Sequence, residues 1–104
     1  MASSESYLTY ILEQLSGLEG VTVRAMMGEY ILYLDGKIAG GIYDDRLLVK
    51  PTPAAVRLLP DAPRELPYDG AKEMLPVEDV DDREFLGALL TAVAADLPAP
   101  KKRN

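Results

Sequence analysis

The dipeptide Asp35-Gly36 separates two largely apolar segments, residues 29–34 and residues 37–43. Asp-Gly between such segments predicts a two-residue β-hairpin, because glycine readily takes the positive φ that a type I′ turn requires. The turn also predicts that Leu34 pairs with Lys37 and that Tyr33 pairs with Ile38. A chain organised around this hairpin is therefore expected to contain an antiparallel sheet.

Neighbouring segments extend the hairpin into a meander. Residues 21–26 alternate and are rich in β-branched residues, and Gly28 ends them. Asp44-Asp45 is typical of a second tight turn, which leads into a strand over residues 46–50. Pro51 and Pro53 end the meander, because proline cannot donate to a β-ladder. A late edge strand is predicted within residues 72–77, where Pro76 lies.

Helices are predicted on both sides of the meander. Residues 5–16 repeat leucine and isoleucine at helical spacing, and Ser3 or Ser4 can cap this helix. A short helix follows Pro53 through Leu59. A last helix begins at Asp81 or Asp82 and ends near Asp96. The prediction is a two-layer α+β domain over residues 1–97, followed by a disordered basic tail over residues 98–104.

Composition excludes several kinds of site. The 104 residues contain no cysteine and no histidine, which removes thiolate metal sites and the usual triads of nucleophile, histidine and acid. Outside the tail, 17 acidic and 8 basic residues leave a charge near −9, which argues against direct nucleic-acid binding. No apolar segment is long enough to cross a bilayer, and no signal peptide is recognisable. We therefore expect a cytoplasmic protein.

The predicted register divides the strand residues between two faces, with Tyr30 opposite Gly41 and Ile42 opposite Leu47. The expected core face, where Gly40 would let a helix approach closely, consists of Glu29, Ile31, Tyr33, Ile38, Gly40, Ile42, Leu47 and Val49. The expected second face consists of Tyr30, Leu32, Leu34, Ala39, Gly41, Tyr43 and Leu48. Both faces are apolar, whereas a half-exposed sheet usually alternates apolar with polar residues.

Two explanations of the second apolar face remain open. Either helices cover both faces of the sheet, or another chain buries one of them. The second explanation predicts a homodimer with aromatic and leucine side chains at its centre and a basic rim. The predicted interface residues are Tyr30, Leu32, Leu34, Lys37, Tyr43, Arg46, Leu48 and Lys50.

Carboxylate pairs are the remaining candidates for chemistry. Asp44-Asp45 and Asp81-Asp82 could bind a divalent cation, but a turn explains the first pair and helix capping explains the second. No catalytic residue, metal ligand or cofactor is predicted. An alternative hypothesis is a small enzyme or ligand-binding protein, and the polar side chains available to it are Tyr30, Tyr33, Lys37, Arg46 and Lys50. Nucleic-acid binding by a basic edge is a third hypothesis.

A central block of motifs resembles a known family. Residues 24–30 read Arg-Ala-Met-Met-Gly-Glu-Tyr, and residues 32–37 read Leu-Tyr-Leu-Asp-Gly-Lys. These motifs, with Asp-Asp-Arg-Leu at residues 44–47 and Tyr-Asp-Gly at residues 68–70, resemble the N-terminal domain of TfoX/Sxy-type competence regulators. Met27 stands where that family usually has phenylalanine, and Glu29 stands where it usually has glycine. The family's separate C-terminal domain has no counterpart within these residues.

The resemblance implies an α-β(3)-α-β(2)-α order, similar to type III secretion chaperones. It also implies a role in the regulation of DNA uptake through partner proteins, and no catalytic residue is carried over. The leading hypothesis is therefore a TfoX-like accessory or regulatory protein that acts by protein contact. Its expected partners are other proteins or a second copy of itself.

Overall fold

Three helices pack against one face of a five-stranded antiparallel sheet. The computed structural model describes residues 3–98. The strands lie in the order β1-β2-β3-β4-β5, so the chain forms a simple meander. The elements in chain order are α1 (Glu5–Gln14), β1 (Val21–Met26), β2 (Glu29–Leu34), β3 (Lys37–Tyr43), β4 (Arg46–Val49), α2 (Pro53–Leu58), β5 (Leu75–Pro76) and α3 (Arg83–Ala95).

Side-chain caps define the helix starts. The Ser4 hydroxyl accepts a hydrogen bond from the Tyr7 amide at 3.2 Å, as the predicted capping of α1 requires. Thr52 caps α2 by accepting from the Ala55 amide. Asp82 caps α3, so one member of the acidic pair at its start serves helix formation.

Three two-residue turns connect the first four strands. Both central residues have positive φ in each turn, which is the type I′ conformation. Asp35-Gly36 behaves as its sequence predicts, and Met27-Gly28 and Asp44-Asp45 adopt the same turn. Asp44 and Asp45 do so without glycine, at φ of 53° and 56°. Because these turns match strand twist, they hold β1 to β4 in one sheet.

A β-bulge changes the predicted face assignment. Leu34 pairs with Lys37 and Tyr33 pairs with Ile38, as predicted, but Leu32 then pairs with Gly40. Ala39 is therefore an extra residue, and the strand beyond it moves by one position relative to β2. Tyr30 consequently lies opposite Ile42, and the predicted pairing with Gly41 is wrong.

The bulge exchanges residues between the two predicted faces. The helix-covered core contains Leu32 and Leu34, which were expected on the second face, together with Ile42 and Val49. Conversely, Ile31, Tyr33 and Ile38 lie on the face away from the helices, by their register with β1 and β3. Neither predicted face is therefore continuous in the structure. The core residues of the sheet are Leu32, Leu34, Ala39, Ile42, Leu47, Val49, Leu75 and Val77.

Gly40 allows close packing between strands, whereas the sequence predicted the approach of a helix. A Cβ atom at Gly40 would lie 2.2 Å from the Leu48 carbonyl oxygen and 3.0 Å from the Val49 Cα. The bulge turns this position toward β4, which leaves no room for a side chain. Alanine here would force the β3 and β4 backbones apart.

The order of elements along the chain is α-β(4)-α-β-α. Four strands precede α2 and one follows it, whereas the family resemblance implied three and two. The late strand is short because Pro76 cannot donate to the ladder, although the Val77 amide still donates to the Leu47 carbonyl at 2.9 Å. The two-layer α+β class is confirmed. Within residues 3–98, no helix has the length and apolar character that crossing a membrane requires.

Candidate functional site

The side of the sheet away from the helices is covered over only part of its width. We call its uncovered part the open face. By strand register, the open face comprises the outward side chains of β1, β2 and the start of β3. Its residues are Thr22, Arg24, Met26, Glu29, Ile31, Tyr33 and Ile38.

Residues 64–74, here called the cover segment, lie over β3 and β4 on the same side. Arg46 forms an ion pair with Glu65, with 2.6 Å between Nη1 and Oε1. The rings of Tyr43 and Tyr68 lie 6.0 Å apart between centroids. Met74 completes a small buried cluster with Tyr43 and Leu48. The cover segment therefore gives β3 and β4 a second, minor core and leaves β1 and β2 uncovered.

Tyr43 lies at the boundary between the open face and the cover segment. Its ring lies beside Gly41, where a Cβ atom would come within 2.6 Å of the ring. Burial raises the pKa of the Tyr43 hydroxyl, and the nearby Tyr68, Glu29 and Tyr33 raise it further. The hydroxyl therefore stays protonated at neutral pH and can act as a neutral hydrogen-bonding group.

The open face combines apolar and hydrogen-bonding side chains. Ile38 keeps 38% of its surface exposed and Met26 keeps 37%, while Ile31 and Tyr33 are half-buried. Arg24 is exposed and lies directly opposite Ile31. An aromatic ring, branched aliphatic groups and a guanidinium are the side chains that protein interfaces favour. The arrangement can therefore bury apolar area while Arg24 supplies charge at its margin.

The predicted interface residues do not form a single surface. Tyr30, Leu32 and Leu34 face the helices, and the Lys37 ammonium donates to the Ala94 carbonyl at the end of α3, at 3.1 Å. The remaining four lie toward the cover segment or the end of β4. Tyr43 and Leu48 are buried, Arg46 is paired with Glu65, and Lys50 is half-buried after β4.

Glu29 forms a contact that the sequence did not predict. Its carboxylate accepts hydrogen bonds from the Ser3 amide at 2.9 Å and from the Ser3 hydroxyl at 2.7 Å. The same carboxylate accepts from the Asp44 amide. The sequence marks this position, because glutamate stands where the family usually has glycine. The sequence gives no sign of the partners of Glu29, which lie 26 and 15 residues away.

Within residues 3–98, three of the four paired carboxylates accept hydrogen bonds from other parts of the fold. Asp45 accepts from the Ser4 amide at 2.8 Å. Asp81 accepts from the Tyr10 hydroxyl of α1, and Asp82 caps α3. Within residues 3–98, no group of three or more acidic side chains is placed to hold a metal ion.

A cleft of about 270 Å³ lies where α2 ends and α3 begins. Leu58, Leu59 and Phe85 supply apolar walls, and Asp61 and Glu78 bring carboxylates to it. The five polar side chains that the sequence offered to a ligand, Tyr30, Tyr33, Lys37, Arg46 and Lys50, all lie elsewhere. Those five therefore do not converge on this cleft.

Comparison with known proteins agrees with the motif block. The model of the TfoX N-terminal domain family matches residues 13–88. A protein of Spirochaeta aurantia, described as an uncharacterized 12.7 kDa protein in the trpE 5′ region, is 38% identical over 105 residues, spanning 100% of this chain and 91% of that protein. No solved structure matches this chain. The chain therefore belongs to the TfoX N-terminal domain family.

Proposed function

We propose that this protein is an accessory or regulatory protein of the TfoX type that acts through protein contacts and catalyses no reaction. The open face is its contact surface. The observation that carries the proposal is that helices cover one side of the sheet, while Ile31, Tyr33 and Ile38 remain accessible on the other. Apolar side chains grouped on an uncovered sheet are typical of surfaces that another protein buries.

Charge supports a protein partner over a nucleic acid. Outside residues 98–104, the chain has 17 acidic and 8 basic residues, so its field repels a phosphate backbone. Among the seven open-face residues only Arg24 is basic, and Arg46 beneath the cover segment is already paired with Glu65. Arg24 alone does not make a phosphate-binding surface. The predicted tail cations, residues 101–103, lie outside the described residues. The family supports a role in transcriptional regulation, and such a role belongs in the cytoplasm.

Site-specific photo-crosslinking tests this proposal. A photoreactive phenylalanine analogue at position 38 is expected to link the protein to a defined partner in bacterial cells. The matched control carries the analogue at Val56, which lies on α2 and is 42% exposed, against 38% for Ile38. A partner captured at position 38 and absent at position 56 supports the open face. Equal capture at both positions, or none at position 38, contradicts it.

The cleft beside Phe85 favours a second candidate function, the binding of a small ligand. Leu58, Leu59 and Phe85 would contact apolar atoms, and Asp61 and Glu78 would bind a cationic group. A thermal-shift screen against cationic metabolites tests this candidate. A rise in melting temperature that Phe85→Ala weakens, while Ile38→Asp leaves it unchanged, would favour the ligand over the protein partner.

A further inference from the structure

The two edges of the sheet differ in how well they are protected from pairing. β5 is two residues long and contains Pro76, and both features discourage a further strand from adding. β1 has six residues and lies at the opposite edge. It contains no proline, and its one charged residue is Arg24. Within residues 3–98, no strand pairs with its outer edge.

The outward backbone groups of β1 follow from its pairing with β2. The Asp35 amide donates to the Gly20 carbonyl at 3.0 Å, so the backbone of Gly20 points toward β2. Hydrogen bonding alternates along an antiparallel strand, and residues 22, 24 and 26 therefore also point inward. The amides and carbonyls of Val21, Val23 and Ala25 consequently point away from the sheet.

We propose that β1 pairs antiparallel with β1 of a second copy, with the two-fold axis at Val23, so that two sheets join into one. In this register, Val23 pairs with its own counterpart and Val21 pairs with Ala25. Every outward amide and carbonyl of both strands then has a partner, which gives about six hydrogen bonds. A shift by two residues in either direction leaves some of these groups unpaired.

The side chains of β1 are compatible with the pairing of two β1 strands. On the helix side, the axis brings the two Val23 side chains together and places Val21 beside Ala25, so apolar groups meet. On the open-face side, Arg24 lies opposite Thr22, and no two like charges are directly opposed. Residues 21–26 contain no acidic residue, which keeps the negative charge of the rest of the chain out of the contact.

The size of the contact sets the expected affinity. One strand pair buries less than the roughly 1,000 Å² that stable interfaces usually exceed, so the dimer should be reversible. Sedimentation velocity from low to high micromolar concentration is therefore expected to show a monomer at one end and a dimer at the other. A monomer throughout this range overturns the proposal.

Val23→Pro tests the edge directly. In the monomer, the Val23 amide points outward and donates no hydrogen bond to β2 or to any other described segment. Proline at this position therefore removes only a hydrogen bond between the two copies. We expect Val23→Pro to weaken dimerisation at least tenfold, while Val23→Thr, which keeps the amide, dimerises as the wild type does. A dimer that Val23→Pro leaves intact overturns the proposal.

A cysteine pair tests the register and does not depend on whether Val23→Pro folds. The native chain has no cysteine. Residues in a hydrogen-bonded antiparallel pair have Cα atoms about 5.5 Å apart, which a disulfide can span. Under mild oxidation, Val23→Cys is expected to give a covalent dimer. Ala25→Cys is more exposed but lies opposite Val21, and it should stay monomeric. A covalent dimer of Ala25→Cys together with a monomeric Val23→Cys overturns the proposal. A strand of another protein that pairs with β1 in place of a second copy also overturns it.

Discussion

Glu29 joins three parts of the chain that are distant in sequence. Its carboxylate accepts from the amide and hydroxyl of Ser3, which precedes α1, and from the Asp44 amide in the third hairpin turn. The Asp45 amide in turn donates to the Ser3 hydroxyl at 3.0 Å. These bonds hold the start of α1 against one end of the sheet, and Asp45 adds a further bond to the Ser4 amide.

Glu29→Ala is expected to lower the free energy of unfolding by about 1–2 kcal/mol, because several donors lose a charged acceptor. Denaturant unfolding at neutral pH measures this change. Glu13→Ala removes an exposed carboxylate from α1 and is the control, with an expected change within about 0.5 kcal/mol. Equal stabilities of the two variants would contradict the role given to Glu29.

Tyr43 links stability to pH in the alkaline range. Its folded-state pKa lies above the ordinary value of 10.0, mainly because of burial. A raised pKa means that the folded state holds the proton more tightly, so this stabilisation is complete below about pH 10 and is lost as pH rises through the folded-state pKa. Tyr43→Phe should therefore lose less stability than the wild type between about pH 9 and pH 11. Burial also raises the pKa of Tyr7, so some of the slope should remain. Identical slopes would argue against a buried Tyr43 hydroxyl.

At the scale of elements, the third hairpin turn has positive φ at two aspartates. Positive φ costs a residue with a Cβ about 1–2 kcal/mol, and glycine removes that cost while losing about 0.5–1 kcal/mol through the flexibility of the unfolded chain. Asp44→Gly should therefore stabilise the protein by about 0.5 kcal/mol. Asp45→Gly should not, because its carboxylate accepts from Ser4. Denaturant unfolding of both variants compares them, and a larger gain from Asp45→Gly would contradict this account.

The ion pair between Arg46 and Glu65 holds the cover segment against β4. Both side chains are more than a third exposed, so the pair adds at most about 1 kcal/mol to global stability. The effect of the ion pair is expected to be local. The Glu65 amide donates to the Met74 carbonyl and the Met74 amide donates to the Glu65 carbonyl, and Arg46→Ala should speed hydrogen exchange at both amides. Arg24→Ala on the open face is the matched control and should leave both rates unchanged. Unchanged rates in Arg46→Ala would show that other contacts hold the segment.

The elements could be predicted from sequence because their signals are local. Turn residues and alternation placed β1, β2 and β3 at their observed bounds, and a capping serine placed the start of α1. The assignment of side chains to the two faces could not be predicted in the same way. One extra residue at Ala39 moves every later side chain of β3 to the opposite face relative to β2. Gly40-Gly41 inside a strand was the available signal of a bulge. Contacts of the cover segment with Arg46 and Tyr43 connect distant residues and left no local pattern.

For the whole molecule, the arrangement separates two potential surfaces. Helices bury one side of the sheet, the cover segment buries β3 and β4 on the other side, and the open face remains between the cover segment and the β1 edge. The open face and the β1 edge are adjacent but use different groups, side chains in the first and backbone in the second. Pairing of two β1 strands would therefore leave both open faces accessible and place them side by side.

The affinity of the purified complex tests the central claim most directly. With the partner captured at position 38, isothermal titration calorimetry would compare wild type, Ile38→Asp and Val56→Asp. An aspartate at position 38 would bury an unpaired charge in the contact, so its Kd is expected to rise at least about 30-fold, while Val56→Asp stays near the wild-type value. Both variants change a partly exposed side chain and should fold, which circular dichroism can verify. A Kd unchanged by Ile38→Asp, or raised equally by Val56→Asp, would contradict the assignment of the open face as the contact surface.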